Sequence, residues 1–193
     1  MSEARRDENT STPVVKWPRR EIRWDAAAAI IASLVGLLAL VVAGYTAYIQ
    51  RQQVSAQVWP YLIGGNSGNN TELVWMNKGV GPAIVKSVEV TIGGQPQRDW
   101  KMVLDTLGIR SAAYHQSFLN GNVVSPGETI HWIRFAQRRD YDEFMHLEQR
   151  PDFRVTTCYC STLGDCWRTG FGAAPRQPVD RCPAVPESRQ FHD

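Results

Sequence analysis

The nine residues IVKSVEVTI, positions 84–92, alternate along almost their whole length. Ile84, Val88, Val90 and Ile92 recur at the two-residue period of an extended chain, with Lys86 the exception, while Ser87, Glu89 and Thr91 fall on the opposite side. That pattern predicts a half-buried strand. Asn77-Lys78-Gly79 and Gly81-Pro82 mark a turn before it, and Leu73-Val74-Trp75-Met76 is the short apolar run beyond that turn. Further back, Val58-Trp59-Pro60-Tyr61-Leu62-Ile63 reads as an edge or bulged strand, because Pro60 has no N–H for a ladder. Gly64-Gly65 reads as the turn that ends it.

Downstream, Gly93-Gly94 is another turn signal, and Trp100, Val103, Leu104 and Leu107 lie at helical spacing. Residues 97–107 are therefore predicted as a short amphipathic helix stopped by Gly108. Ser125-Pro126-Gly127-Glu128 is a turn leading into a strand at 129–135, and Phe144 and Leu147 mark a second short helix at 141–147. Phe153, Val155, Thr157 and Tyr159 then alternate with Arg154, Thr156, Cys158 and Cys160, and a last strand at 166–171 precedes a Pro- and Arg-rich tail. Six or seven short strands spaced by turns over about 125 residues predict an all-β fold, an antiparallel β-sandwich with one or two short helices.

Composition agrees. A chain of 193 residues, 43% apolar and 10% aromatic, can bury one domain's core and leaves no room for a second. Seven Trp exclude a disordered chain, and 15 Gly and 11 Pro without a period exclude a collagenous one. A net charge of +2 argues against an affinity built on neutralising many phosphates, so no nucleic-acid partner is expected.

The run Val74-Trp75-Met76-Asn77-Lys78-Gly79-Val80-Gly81-Pro82-Ala83, followed by the alternating strand and Gly93-Gly94, resembles the opening hairpin of bacterial immunoglobulin-like domains of the cell-adhesion-related type. Pro126-Gly127-Glu128 matches the Pro-Gly-Glu that precedes a later strand in those families. The resemblance covers about a third of the region after the apolar segment and implies an immunoglobulin-like sandwich. Its motifs specify turns and carry no chemistry.

One further block sets the address. Residues 26–49, AAAAIIASLVGLLALVVAGYTAYI, contain no charge, and as a helix rising about 1.5 Å per residue they outspan a hydrocarbon core of about 30 Å. Asp25 and Arg51 bracket the block, with Trp24 at one edge and Tyr45 and Tyr48 near the other, as interfacial rings prefer. Arg5, Arg6, Lys16, Arg19, Arg20 and Arg23 precede it and only Arg51 follows closely, which keeps the N-terminus inside. The expected organisation is a disordered cytoplasmic tail at 1–25, a transmembrane helix at 26–49 and a linker at 50–57. An exported sandwich at 58–172 and a tail at 173–193 tied back by Cys182 complete it. The expected location is a bacterial inner membrane, single-pass, with the domain in the periplasm. A cleaved signal peptide ending at Val54-Ser55-Ala56 is the rival reading. Ala28, Ala32 and Gly36 form a small-residue stripe that leaves homo-oligomerisation open.

All four cysteines follow the span, on the side where disulfides persist. A three-residue loop Thr162-Leu163-Gly164 places Cys160 opposite Cys166, and directly opposed residues come near enough for a bridge. Cys158 and Cys160, two apart on one strand, are too widely spaced to join each other, which leaves Cys158 for Cys182. The alternative is a metal site: Cys-x-Cys presents two soft thiolates on one face, which suits Cu(I). A membrane-anchored immunoglobulin-like domain with that motif is similar to copper-delivery factors of cytochrome oxidase assembly, and the similarity implies copper held by Cys158 and Cys160.

No catalytic motif is present, and none of His115, His131, His146 and His192 has a metal-binding or catalytic spacing. His131, beside Trp132, reads as a satisfied or surface imidazole, and Asp140, Asp142 and Glu143 as an acidic first helical turn. Arg134, Arg138, Arg139, Arg150 and Arg154 make a basic stretch able to meet an acidic partner, or a solvated face. The sequence thus predicts no catalytic, cofactor-binding or metal residue and no cofactor. It predicts a binding or structural domain, an accessory component of a membrane or envelope assembly whose partners are the bilayer and another membrane or envelope protein. A copper-binding assembly factor and an enzyme are the alternatives.

Overall fold

The computed structural model describes residues 24–109, 113–172 and 175–193. The arginines and lysine at positions 5–23, on which the orientation rests, lie outside them, as does most of the expected cytoplasmic tail. The chain divides into two units between Tyr48 and Ile49. The first is the greater part of helix α1, Trp24–Gln57, none of whose residues is buried. By length and composition α1 can cross a membrane, as an anchor or as a signal sequence. Its two aliphatic hydroxyls within the apolar block are satisfied internally, Ser33 donating to the Ala29 carbonyl at 2.6 Å and Thr46 to that of Val42 at 2.9 Å. The helix does not stop at the end of the apolar block. The expected linker at 50–57 is its last two turns, and Val58, expected in a strand, follows directly.

The second unit holds two antiparallel sheets in a sandwich-like arrangement with short helices. The first has the order β1-β2-β7-β5, from β1 (Leu62–Ser67), β2 (Glu72–Asn77), β7 (Thr129–Phe135) and β5 (Tyr114–Gln116). The second has the order β10-β9-β8-β3-β4, from β10 (Gln177–Val179), β9 (Cys166–Gly170), β8 (Phe153–Cys160), β3 (Ala83–Ile92) and β4 (Gln95–Gln97). The two-residue β6 (Val123–Val124) pairs with the start of β3. Helices α2 (Trp100–Leu107) and α3 (Arg138–Glu148) complete the unit. Asp99 caps α2 by accepting from the Met102 amide at 2.7 Å, and left-handed Gly108 closes it.

The Lys86 exception has a structural cause. The β3–β8 register shifts between Val85 and Ser87, so Lys86 bulges out exposed and reverses the faces. Ala83 and Val85 are buried before the bulge and Val88, Val90 and Ile92 after it, leaving Ile84 only half-buried. Gly64-Gly65 is not the expected turn. Both glycines lie inside β1, opposite Trp75 and Val74, and a Cβ on Gly64 would stand 2.5 Å from the Phe171 ring. Gly93-Gly94 is a turn, joining β3 to β4 with φ of 58° and 78°, the left-handed pair that two-residue hairpins demand.

Trp75 and Trp132 from the first sheet, Trp100 from α2, Phe144 from α3 and Val88 and Tyr159 from the second sheet form one buried cluster. Phe191, from the expected tail, belongs to it. It is fully buried, its ring 5.3 Å from that of Trp100 and 5.6 Å from that of Trp132. Its amide donates to the Val88 carbonyl at 2.9 Å, filling the edge of β3 between the stretches that β6 and β4 cover.

Candidate functional site

Alternation along β8 sends Val155, Thr157 and Tyr159 into the core and Arg154, Thr156, Cys158 and Cys160 to the opposite face. On β9, Cys166, Arg168 and Gly170 share that face, since Cys160 pairs with Cys166, Cys158 with Arg168 and Thr156 with Gly170. The outer face of this hairpin therefore carries a sulfur cluster at its turn end and two arginines further along.

The sulfurs lie in two pairs at bonding distance. Cys160 meets Cys166 across the hairpin with Cα atoms 4.0 Å apart, and Cys158 meets Cys182 with Cα atoms 5.7 Å apart. The first is the pair that the loop spacing predicts and the second the pair that this leaves. Bridged in this way, neither Cys158 nor Cys160 offers a thiolate to a soft ion. The two bridges also touch: Cys160 Sγ is 3.7 Å from Cys182 Sγ, and the sulfurs of Cys160, Cys166 and Cys182 all lie within 4.8 Å of one another. Cys158, Cys160 and Cys166 are buried and Cys182 is half-buried.

The basic stretch resolves into internal pairs. Arg134 binds Glu72 at 2.7 Å, Arg138 binds Asp142 at 2.8 Å, Arg139 lies 3.6 Å from Asp140 and Arg150 binds Asp152 at 2.7 Å. Asp140 and Asp142 are thereby taken up by their own helix. Arg154 has no carboxylate partner among the described residues, nor has Arg168. Both are exposed, and together they line a groove of about 310 Å³ with Thr156, Thr169, Gly170, Pro175 and Gln177. Gly170, opposite Thr156, supplies no side chain and leaves the floor open. A second hollow of about 230 Å³ shares Arg154, Thr156 and Gly170 and continues to Phe153, Phe171 and Glu148. Burial pushes the Glu148 carboxyl above its ordinary pKa. The arrangement suits an extended ligand with an anionic group between two guanidiniums and a hydroxyl.

Sequence reasoning found Arg154 and missed Arg168 and Gln177. The hairpin register that pairs Cys160 with Cys166 carries the signal, because it sets Arg168 beside Cys158 on the face of Arg154 and Thr156.

His131 is not a ligand-poised imidazole. Its Nδ1 lies 3.0 Å from Glu72 Oε2, and the same carboxylate, almost wholly buried, accepts from Arg134 Nε at 2.7 Å and from the Asn70 amide at 3.1 Å. Burial raises the Glu72 pKa, but the hydrogen bonds from Arg134, Asn70 and His131 outweigh it and hold the carboxyl below its ordinary value. Elsewhere, the Arg176 guanidinium sits over the rings of Trp59, Tyr61 and Trp167 at 4.5, 4.9 and 5.2 Å. It donates to the Pro60 carbonyl at 3.3 Å, which fastens the chain ahead of β10 to the segment leading into β1.

Comparison with protein-family models, curated proteins and solved structures gave no match.

Proposed function

We propose that this chain is a membrane-anchored binding module whose exported, immunoglobulin-like sandwich receives a carboxylate-bearing segment of a membrane or envelope protein in the Arg154–Arg168 groove. The observation that carries the reading is the contrast among arginines: Arg134, Arg138, Arg139 and Arg150 are each matched to a carboxylate, while Arg154 and Arg168 face one groove without one. An unmatched pair of guanidiniums with a hydroxyl between them is an oxyanion receptor. The α1 segment supports the anchor, the bridged cysteines support an oxidising compartment, and the Asn-x-Gly turn with its buried Ala83 supports the immunoglobulin-like assignment. The role is contact, not turnover, and the domain serves as an accessory component of an envelope assembly.

The test uses the full chain in mild detergent and a fluorescent oligoglutamate peptide read by anisotropy, with oligoglutamine as the neutral control. Binding of the acidic peptide alone, weakened about tenfold or more by Arg154→Ala with Arg168→Ala and falling with added salt, is the expected result. Equal binding by the double variant, or by the neutral peptide, overturns it. A Glu143→Cys chain, labelled from outside intact cells by a membrane-impermeant maleimide, tests the topology independently. Labelling only after lysis would refute export.

A further inference from the structure

We propose that the four cysteines form a thiol–disulfide exchange centre in which one bond migrates through the Cys160–Cys182 contact. The two bridges meet with 3.7 Å between Cys160 Sγ and Cys182 Sγ. A disulfide opens when a thiolate attacks one of its sulfurs and expels the other, so a thiolate formed at either atom has its target beside it. The half-buried Cys182 is the most accessible of the four sulfurs, the other three cysteines being buried.

Two routes reach one product. An external dithiol that opens the Cys158–Cys182 bridge leaves a thiolate at Cys182, which attacks Cys160 and expels Cys166. A dithiol that opens the Cys160–Cys166 bridge leaves a thiolate at Cys160, which attacks Cys182 and expels Cys158. Either way a Cys160–Cys182 bond forms and Cys158 and Cys166 end as thiols. The dithiol loses two electrons and becomes a disulfide, its two protons passing to the released sulfurs, and one protein bridge has been reduced in all. The new bond replaces the tie of the C-terminal segment at Cys158 by one at Cys160, two residues along β8. The natural co-reactant is an exported dithiol protein; the inference does not depend on the arginine groove.

The experiment treats the full native chain in detergent with dithiothreitol until one bridge is reduced, quenches with acid and blocks free thiols with N-ethylmaleimide. Cleavage after Tyr159, after Leu163 and after Phe171 places Cys158, Cys160, Cys166 and Cys182 on separate peptides, so mass mapping distinguishes every pairing. Blocked Cys158 and Cys166 with Cys160 joined to Cys182 is the expected major species. Blocked Cys160 with Cys166, or blocked Cys158 with Cys182, as the only species means simple bridge opening and overturns the proposal. Cys166→Ser supplies the Cys160 thiol with no reductant added. There the bond is expected to divide between Cys158–Cys182 and Cys160–Cys182, and a chain holding only Cys158–Cys182 refutes exchange.

Discussion

The side-chain nitrogen of Asn77 lies 2.9 Å from the carbonyl oxygen of Val124, 47 residues further along the chain. The same nitrogen donates to the Gly81 carbonyl at 2.8 Å, and Asn77 Oδ1 accepts from the amides of Tyr61 and Gly79. A fully buried amide thus joins the segment entering β1, the β2–β3 turn and β6. Asn77→Ala strands the buried carbonyls of Gly81 and Val124 and removes the acceptor of the partly buried Tyr61 and Gly79 amides, so at about 1 kcal/mol for each carbonyl and about 0.5 kcal/mol for each amide a loss of about 3 kcal/mol is expected. Calorimetry of the full chain should show the two-sheet unit melting about 10 °C lower.

Glu72 makes stability depend on pH in a definite direction. Its folded pKa lies below the ordinary 4.5, so its contribution is complete above that pH and is lost as the pH falls through the folded value. Glu72→Gln removes the charge from the Arg134 and His131 contacts and should cost about 2 kcal/mol at neutral pH. Thermal melts of the two chains should converge below pH 4.5. Asp193 acts in the opposite sense. Burial raises its pKa despite bonds from the Leu119 and Asn120 amides, so its contribution is complete below the ordinary 3.8 and declines as the pH rises through the raised value. Comparing variant with parent cancels that term, and a gap between them that does not change with pH would refute the assignment to Glu72.

Local period and turn chemistry made β2, β3, β7, β8, β9 and both short helices legible, although in β3 the bulge at Lys86 moves the buried face of its first residues to Ala83 and Val85. The shortest strands were not: β4, β5, β6 and β10 have two or three residues each, too few for a period, and exist because a longer neighbour offers an edge. Gly64-Gly65 has the composition of a turn but is a strand, since the Phe171 and Trp75 rings close over the space where a side chain would stand. Phe191 stands alone in a polar tail, and only the gap it fills beside Val88 explains its burial. Of the groove, Arg154 was visible in the alternation of β8, whereas Arg168 required the register of the neighbouring strand.

The two bridges should contribute unequally. The chain between Cys158 and Cys182 spans 24 positions and that between Cys160 and Cys166 only 6. Loop-closure entropy grows with the logarithm of length, giving about 3.5 kcal/mol for the long loop and about 2.4 kcal/mol for the short one. Replacing both Cys158 and Cys182 by Ser should therefore lower the unfolding midpoint more than replacing both Cys160 and Cys166. The long loop also secures the segment that ends in Phe191, which adds to the difference. A larger loss from the Cys160/Cys166 pair would show that the short bridge carries the hairpin's stability.

Two glycines separate close approach from simple flexibility. A Cβ on Gly81 would collide with the carbonyl oxygen and carbon of Val58, while one on Gly65 would meet nothing within 4 Å. The contact at Gly81 is backbone against backbone, so no rotamer change can relieve it. Trp59 is held there as well, its carbonyl accepting from the amides of Val80 and Gly81 at 3.0 and 3.2 Å. Gly81→Ala must push Val58 away and break these bonds, an overpacking loss of about 2–3 kcal/mol. Gly65→Ala, in extended backbone with open space beside it, should change stability by less than about 0.5 kcal/mol or raise it slightly. Urea titration of the two chains measures both, and limited trypsin digestion at Arg51 reports whether the helix end has come away from the domain. Faster cleavage at Arg51 in Gly81→Ala, with Gly65→Ala unchanged, is the expected outcome; equal behaviour of the two would mean that the β2–β3 turn does not grip the chain leaving α1.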